Sequence, residues 1–288
     1  MTILITGAEG QLGRILSTSL ASLGNVLPCD RRALDLGHPE QIADVIGRVR
    51  PAVIVNCAAF NDVDRAEEQA EIALEINAIA VRSLARAARR HGALLVHFSS
   101  DFVFNGSAVV PYTEADQPSP QSVYAASKLI GEWLAQDTER WLVLRVESLF
   151  GVRHSPGSSR VGSVDRIIAA LEESRPTKVF RDRVVSPSYL IDVAEAVKHL
   201  IQTNAESSLY HVVNRGHCTW YELGLEIAGH IGGRELLDPI DASGLALKAS
   251  RPQFAALSPD KLASAGFVMP TWQDAIERYL AFRATAQS

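Results

Sequence analysis

The chain has 288 residues, of which 47% are hydrophobic and 21% charged, and this composition excludes an intrinsically disordered protein. A length of this order predicts one large domain that carries a smaller lobe. The formal net charge is -5 at pH 7 and no block of Lys or Arg stands out, so the sequence predicts no nucleic-acid-binding face. An anionic substrate must then be bound by a few placed cations.

The sequence carries no sign of a membrane segment, a secretory signal or a metal site. Met1 leads directly into residues 2–6 with no charged segment before them, and no apolar run approaches the roughly 20 residues that span a bilayer. The three cysteines, Cys29, Cys57 and Cys218, form no CxxC pair, and the eight histidines lack metal-ligand spacing. We therefore expect a cytoplasmic protein with reduced thiols and no bound metal.

Short apolar runs alternate with amphipathic segments in the first half of the chain. The predicted strands cover residues 2–6, 25–28, 52–55, 93–98 and 141–146. The predicted helices cover residues 11–23, 39–49, 65–91 and 122–136. The strands are almost continuously apolar, as are strands buried on both faces. This alternation predicts an α/β Rossmann fold with a doubly wound parallel sheet.

The regular alternation of apolar runs and amphipathic segments ends at Gly151. Residues 153–160 are polar and rich in breakers, which predicts a mobile loop, and the residues beyond mix helices and short strands without regular alternation. We predict a dinucleotide-binding domain over residues 1–151 and a smaller α/β substrate-binding lobe over residues 152–288. Within this lobe, residues 188–203 are expected to pack back on the first domain.

A glycine-rich turn directly follows the first predicted strand. Glycines at this position allow a sharp turn and a close approach of the backbone to a pyrophosphate, which then lies at the positive end of the next helix. A GxxGxxG pattern alone is weak, but here a strand precedes it and an amphipathic helix begins within it. The predicted cofactor-binding residues of this turn are Gly7, Gly10, Gln11, Leu12 and Gly13.

The end of the second predicted strand carries conflicting signals about the cofactor. Asp30 lies about 20 residues beyond the glycines, where a carboxylate binds the adenosine ribose and favours NAD. Arg31 and Arg32 follow at once, and a guanidinium there can hold the 2′-phosphate of NADP. Asp35 and Leu36 are either an adenine contact or the turn that precedes helix 39–49. The sequence therefore predicts NADPH or NADH.

Tyr124 and Lys128 are spaced i and i+4, so both lie on one face of the helix predicted over residues 122–136. A neighbouring ammonium favours the phenolate, so we expect Lys128 to lower the pKa of Tyr124. Ser99 and Ser100 end the strand 93–98 in hydroxyl groups, at the sheet edge where ligands bind. Ser100, Tyr124 and Lys128 are the predicted catalytic residues.

Together, these motifs resemble the extended short-chain dehydrogenase/reductase superfamily and, within it, the dTDP-4-dehydrorhamnose reductase family. The segments that carry the resemblance are residues 10–13, 56–67, 99–104, 210–214, 219–221 and 251–252. It implies hydride transfer from NADPH or NADH to C4 of a nucleotide-linked 4-keto-6-deoxy sugar. Members of the family are often dimers, so the resemblance also allows a homodimer.

The resemblance also implies roles for individual residues. Tyr124 would protonate the carbonyl oxygen, Lys128 would hold the nicotinamide ribose, and Ser100 would hydrogen-bond the carbonyl. The further cofactor contacts would be Ala58, Ala59 and Asn61. The predicted substrate-binding residues are Ser100, Asp101, Phe102, Glu147 and Arg251. Arg251 is either a ligand of the substrate diphosphate or a surface arginine beside a proline turn.

The sequence departs from the family pattern in the predicted substrate site. After strand 141–146 the family usually has Thr-Ser-Trp, whereas this chain has Glu147 and Ser148 at the Ser and Trp positions. An Asn-Ser pair usually follows the late Arg-Pro, whereas residues 253–256 read Gln-Phe-Ala-Ala. These differences leave the identity of the sugar and of its nucleotide open.

Two other functions are compatible with the same fold. One is a sugar-nucleotide epimerase or dehydratase, which would keep its cofactor tightly bound and recycle the hydride. The other is a regulatory subunit without turnover, because the resemblance extends to the β regulatory subunit of methionine adenosyltransferase. The presence of Ser100, Tyr124 and Lys128 favours a reductase, since a pure binding module has no need of this triad.

Overall fold

A computed structural model describes residues 1–151, 162–242 and 248–285. Its centre is a 6-stranded sheet of β1 (Thr2–Thr6), β2 (Asn25–Cys29), β3 (Val53–Asn56), β4 (Leu94–Ser100), β5 (Trp141–Val146) and β10 (Ser208–His211). The order of the strands across the sheet is β2-β1-β3-β4-β5-β10, and every strand pair in it is parallel. The predicted α/β Rossmann fold is confirmed.

Helices cover both faces of this sheet. They are α1 (Gln11–Ser19), α2 (Pro39–Val49), α3 (Val63–Glu68), α4 (Ala70–Leu74), α5 (Ala80–His91), α6 (Val123–Ala135) and α8 (Leu190–Gln202). One buried apolar cluster joins α1 and α8 to the sheet, and a second joins α2 and α5 to its other face. Both faces are therefore dry, which explains why the strands read as continuous apolar runs.

Two predicted helices are divided in the structure. The helix predicted over residues 11–23 ends as α-helix at Ser19 and continues as a 3₁₀ turn over Leu20–Leu23. The helix predicted over residues 65–91 breaks at Gln69, whose ψ of 51° is not helical, and contains a π-helical turn over Glu75–Ile79. Composition alone conceals these breaks because Ala, Glu and Arg favour helix throughout the segment.

The smaller lobe contains short strands and four helices, three of which surround its own apolar core. Its elements are β6 (Leu149–Phe150), α7 (Ser163–Glu172), β7 (Thr177–Phe180), β8 (Val184–Val185), β9 (Ser188–Tyr189), β11 (Cys218–Thr219), α9 (Trp220–Ile231), β12 (Leu237–Ile240), α10 (Asp260–Ser264) and α11 (Trp272–Thr285). Helices α7, α9 and α11 enclose the core. The chain enters the lobe after β5 and returns to the sheet twice: first with α8, which packs on it, and β10, which extends it, and later with Leu262 of α10.

The order of the strands creates a crevice at one edge of the sheet. The chain places β2 on one side of β1 and then crosses to place β3 on the other side. Ligands of open parallel sheets bind at such a reversal, outside the carboxyl ends of the strands. Across the described ranges, no helix is long and apolar enough to cross a membrane. The predicted loop over residues 153–160 lies outside the described residues.

Candidate active site

The glycine-rich turn packs backbone directly against backbone. Gly7 follows β1 with a φ of +63°, and a Cβ at this position would lie 2.6 Å from the nitrogen of Ala58. A Cβ on Gly13, in the first turn of α1, would lie 2.4 Å from the Gly7 carbonyl oxygen. Carbon atoms do not approach so closely, so only glycine allows β1, α1 and the segment after β3 to meet here. This is the close packing that a dinucleotide-binding turn requires.

The amino terminus of α1 faces this crevice, and its partial positive charge is not offset by a capping or acidic side chain of the described helix. Among the described residues, no side chain caps Gly10 and no acidic residue lies in the first turn of α1. The first N–H groups of a helix carry partial positive charge and bind anions such as a pyrophosphate. The glycine packing and this helix end together fit a nicotinamide dinucleotide, whose contacts at Gln11 and Leu12 stay predictions.

The segment after β2 holds the residues predicted to bind the adenosine end of the cofactor. Asp30 Oδ1 accepts hydrogen bonds from the backbone nitrogens of Arg32 and Ala33, at 3.0 and 2.8 Å, so it stabilises its own turn. Arg31 has 85% of its side chain exposed and its Nε lies 3.1 Å from Asp35 Oδ2.

Asp35 and Leu36 are tied into the structure beside this turn. The backbone N–H of Gly37, followed by Arg31, lowers the pKa of Asp35 despite a partial desolvation of its carboxyl. Leu36 is buried in the cluster beneath α2. Both residues therefore have structural partners, and the predicted adenine contact stays a prediction.

Residues after β3 complete the cofactor side of the crevice. Ala58 and Ala59 are partly buried, and the backbone of Ala58 touches Gly7, whereas Asn61 is exposed. The sequence prediction missed Asn77, which lies in the π-helical turn and is buried. Its side chain accepts from the Phe60 nitrogen at 2.8 Å and donates to the Phe60 oxygen at 3.1 Å.

Asn77 also connects the cofactor segment to the helix that carries the predicted acid. Its Nδ2 donates to Ser127 Oγ at 2.9 Å, and Ser127 lies on α6 between Tyr124 and Lys128. Single π-helical turns are frequent at functional sites. The only signal in the sequence was a lone Asn in an Ala-rich stretch, which is too weak to single out.

Ser100 and Tyr124 meet at the carboxyl edge of the sheet. Ser100 is the last residue of β4, and its Oγ donates to Asp101 Oδ1 at 2.7 Å. Tyr124 lies in the first turn of α6, which begins where the Ser122 hydroxyl caps the Ala125 nitrogen. The ring of Phe102 meets the Tyr124 ring edge-on at 5.6 Å.

The electrostatics of Tyr124 differ from the expectation. Burial raises the pKa of Tyr124, the Asp101 carboxyl raises it further, and the Ser100 hydroxyl has the opposite but smaller effect. The prediction that Lys128 lowers this pKa is not met in the structure, because the Lys128 ammonium donates to the Phe98 carbonyl oxygen at 2.6 Å. Burial lowers the pKa of Lys128 to about 8. Tyr124 therefore keeps its proton at neutral pH, as a proton donor must.

Asp101 and Glu147 occupy the same edge on neighbouring strands. Both carboxyls are buried, and Glu147 Oε2 accepts from the Ser186 nitrogen at 2.7 Å. Burial raises the pKa of Asp101 to about 7, and burial followed by Asp101 raises that of Glu147 well above its usual range. The positive charge of Arg183 lowers the pKa of both carboxyls. The sequence prediction missed Arg183, because only the fold brings it close to Asp101 and Glu147.

Arg251, the predicted diphosphate ligand, pairs with a helix of the first domain. Its Nη2 lies 2.7 Å from Asp64 Oδ2 on α3, and the backbone nitrogen of Ala249 donates to Asp64 Oδ1 at 3.1 Å. Arg251 lowers the pKa of Asp64. The guanidinium thus has one carboxylate partner, and diphosphate binding by Arg251 stays a prediction.

Comparison with known proteins gives matches over nearly the whole chain. The family profile described as RmlD substrate binding domain matches residues 1–284. The dTDP-4-dehydrorhamnose reductase of Burkholderia thailandensis is 34% identical over 294 residues, covering 96% of this chain and 97% of that protein. The spore coat polysaccharide biosynthesis protein SpsK of Bacillus subtilis is 32% identical over 286 residues, covering 99% and 98%.

Solved structures agree with the sequence relatives. The crystal structure of dTDP-4-dehydrorhamnose reductase from Bacillus anthracis, in complex with NADP, matches with a TM-score of 0.90 and 31% identity, covering 97% of this chain and 98% of that one. The motifs of the sequence, the strand order and these matches agree. The chain belongs to the dTDP-4-dehydrorhamnose reductase family.

Proposed function

We propose that the protein reduces the C4 ketone of a nucleotide-linked 4-keto-6-deoxy sugar with NADPH, and that dTDP-4-dehydrorhamnose is its substrate. The observation that carries this proposal is the meeting of the buried Ser100 hydroxyl and Tyr124 phenol at the sheet edge that also carries the glycine turn. Relatives named dTDP-4-dehydrorhamnose reductase support the substrate, and the NADP complex of the Bacillus anthracis protein supports the cofactor.

The chemistry divides between the cofactor and three side chains. The bound nicotinamide supplies the hydride that adds to the carbonyl carbon. Tyr124 donates its proton to the carbonyl oxygen, Ser100 hydrogen-bonds the same oxygen, and Lys128 holds the nicotinamide ribose. Because burial and Asp101 keep Tyr124 protonated, the proton is available when charge develops on the oxygen.

The neighbourhood of β2 supports NADPH over NADH. One oxygen of Asp30 is already engaged by two backbone N–H groups, whereas the Arg31 guanidinium is largely exposed. An exposed guanidinium beside the adenosine site suits a 2′-phosphate. We also assign Ala58, Ala59 and Asn61 as cofactor-binding residues, because their segment follows β3 and packs against the glycine-rich turn at the crevice.

On the substrate side, we assign Asp101, Phe102, Glu147 and Arg251 to the sugar nucleotide. Phe102 touches the Tyr124 ring, and both carboxyls lie at the edge where the ketone must be placed. The cytoplasm is the proposed location, since NADPH is consumed at each turnover. A homodimer stays a prediction.

NADPH oxidation tests the proposal, followed by absorbance with dTDP-4-keto-6-deoxy-L-mannose generated in situ. We expect turnover in the wild type and a loss of about 100-fold or more in Tyr124→Phe, because the variant removes only the proton donor. NADPH binding measured by calorimetry should be unchanged. Tyr210→Phe is the matched control, since its hydroxyl binds the Glu206 carbonyl at 3.3 Å and has no role in the reaction.

The same assay separates the competing functions. Near-full activity of Tyr124→Phe would exclude Tyr124 as the acid. Stoichiometric NAD in the purified protein, with no net NADPH oxidation, would contradict a reductase and favour an epimerase or dehydratase. Intact NADPH binding without any turnover of keto sugars would instead favour the regulatory subunit.

A further inference from the structure

Two buried carboxyls lie side by side at the substrate edge. Ser100 on β4 is in register with Val146 on β5, so the next residues, Asp101 and Glu147, emerge together at the carboxyl ends of the strands. They are 4% and 2% exposed. Ser100 Oγ donates to Asp101, and Asp101 raises the pKa of Glu147, so Glu147 belongs to the same cluster as the hydroxyl that is proposed to bind the ketone.

One acceptor and one donor in this cluster have no partner. Glu147 Oε2 accepts from the Ser186 nitrogen, but Oε1 is buried and makes no hydrogen bond with any part of the chain that the structure describes. The same holds for Arg183 Nε, although the Arg183 Nη2 reaches the Pro252 carbonyl oxygen at 3.5 Å. Buried polar groups are nearly always paired, so an unpaired donor and acceptor in one cluster indicate a missing polar ligand.

The cluster lies between the reacting centre and the proposed diphosphate site. At one end of the cluster, Asp101 accepts a hydrogen bond from Ser100 and raises the pKa of Tyr124. At the other end, the positive charge of Arg251 lowers the pKa of Arg183. If a sugar nucleotide binds with its ketone at Tyr124 and its diphosphate near Arg251, its sugar ring therefore lies beside the cluster.

We propose that Glu147 and Arg183 are the specificity-determining pair of the substrate site, and that they bind the hydroxyl groups of the sugar ring next to the reacting carbonyl. Glu147 Oε1 binds the C3 hydroxyl, and Arg183 Nε donates to an oxygen of the same ring. This inference rests on the proposed reduction of a 4-keto sugar.

The chemistry of the pair favours a hydroxyl over other groups. Burial and Asp101 raise the pKa of Glu147, which favours the protonated carboxyl, and a protonated carboxyl both donates and accepts hydrogen bonds, as a hydroxyl does. A hydrogen or methyl group at C3 would leave Glu147 Oε1 unpaired. A sugar acid would bring a carboxylate into the buried site of Asp101 and Glu147, where desolvation and neighbouring carboxyls disfavour a negative charge.

The test compares two substrates that differ by one oxygen. Wild-type protein is assayed with dTDP-4-keto-6-deoxy-L-mannose and with its 3-deoxy analogue. A site built to bind a hydroxyl rejects an analogue that lacks it, so we expect kcat/KM to fall by about 100-fold. Equal kcat/KM values for the two sugars would overturn the proposal without any variant.

Variants then assign the discrimination to the pair. In Glu147→Ala we expect the KM for the parent sugar to rise by about 10-fold and the preference over the 3-deoxy analogue to shrink to about 3-fold. Glu147→Gln, whose amide donates and accepts as a protonated carboxyl does, should retain the preference. Arg183→Met should also raise the KM, while NADPH affinity by calorimetry stays unchanged in all three.

Glu173→Gln is the control, since Glu173 forms an exposed pair with Arg175. Full discrimination in Glu147→Ala would contradict the assignment, and a Glu147→Ala protein that does not fold leaves Arg183→Met and the wild-type comparison to decide it. Absence of wild-type turnover on the parent sugar would refute the proposed function itself. Turnover of both sugars without preference refutes only the role of the pair.

Discussion

The two halves of the crevice are built in opposite ways. At the carboxyl ends of β1 and β3, backbone packs on backbone, and Asp30 and Asn77 direct their polar atoms to neighbouring main chain. At the ends of β4 and β5, among the described residues, Ser99 Oγ, Glu147 Oε1 and Arg183 Nε are buried without partners.

This difference reflects what each half has to bind. A dinucleotide is held by main-chain geometry, which glycines at fixed positions provide, so the main chain of the cofactor half has its binding shape before the cofactor arrives. Each unpaired buried polar group costs about 1–3 kcal/mol, so the substrate half holds an unfavourable arrangement that a polar ligand relieves. We therefore expect substrate specificity to depend on the half with the unpaired polar groups.

The removal of Lys128, which the proposed function assigns to the nicotinamide ribose, should have the largest effect of the variants that address this comparison. Lys128 lies on α6 four residues after Tyr124, and its ammonium donates to the Phe98 carbonyl oxygen. In Lys128→Ala we expect NADPH to bind more weakly and kcat to fall by about 100-fold, because the ammonium is proposed to hold the nicotinamide ribose and so to orient the hydride donor. Steady-state kinetics and calorimetry measure the two effects, and a change in neither would remove Lys128 from the site.

The pH dependence provides a second measure of Lys128. Burial lowers its pKa to about 8, so the ammonium loses its proton as the pH rises through this value, and kcat/KM for NADPH should then fall. Lys128→Ala should lack this alkaline limb. Lys128 contributes to stability with the opposite sign, because between pH 8 and the usual Lys value of 10.5 this group is deprotonated in the folded state and protonated in the unfolded chain. The free energy of unfolding of the wild type should therefore rise relative to that of Lys128→Ala across this window.

Much of the cofactor half could be predicted from the sequence, because its signals are local. The apolar strand Thr2–Thr6, the glycines after it and the i, i+4 spacing of Tyr124 and Lys128 each lie within a few residues. The π-helical turn around Asn77 and the approach of Arg183 to Glu147 depend on contacts between distant segments. The pKa of Tyr124 also depends on burial, and for this reason the predicted direction was wrong.

Two glycine-to-alanine substitutions in helices distinguish the effect of close backbone packing on stability from the effect of helix propensity. A Cβ on Gly13 would lie 2.4 Å from the Gly7 oxygen, whereas a Cβ on Gly229, in α9, meets nothing within 4 Å. We expect Gly13→Ala to destabilise the protein by about 1–3 kcal/mol and to weaken NADPH binding by about 10-fold. Gly229→Ala should be stabilising by up to about 1 kcal/mol.

Thermal unfolding and calorimetry on both glycine variants give the comparison. If Gly13→Ala bound NADPH as tightly as the wild type, the close approach of the backbones would not be needed by the cofactor. The packing would then serve the fold alone.

The smallest effect is expected at Asp30, a residue of the cofactor half. Its Oδ1 already binds two backbone N–H groups, so the carboxylate has a structural role as well as the predicted ribose contact. In Asp30→Ala we expect NADH affinity to fall by about 3-fold more than NADPH affinity, because only NADH lacks the phosphate that Arg31 can hold.

Calorimetry with both cofactors measures the ratio for Asp30→Ala, and Asp44→Ala is the control, since Asp44 forms an exposed pair with Arg48 on α2. The loss of two backbone hydrogen bonds should also lower the free energy of unfolding by about 1 kcal/mol. Equal losses for NADH and NADPH would assign Asp30 to the turn alone. Cofactor preference would then depend on Arg31, whose exposed guanidinium has Asp35 as its ion-pair partner.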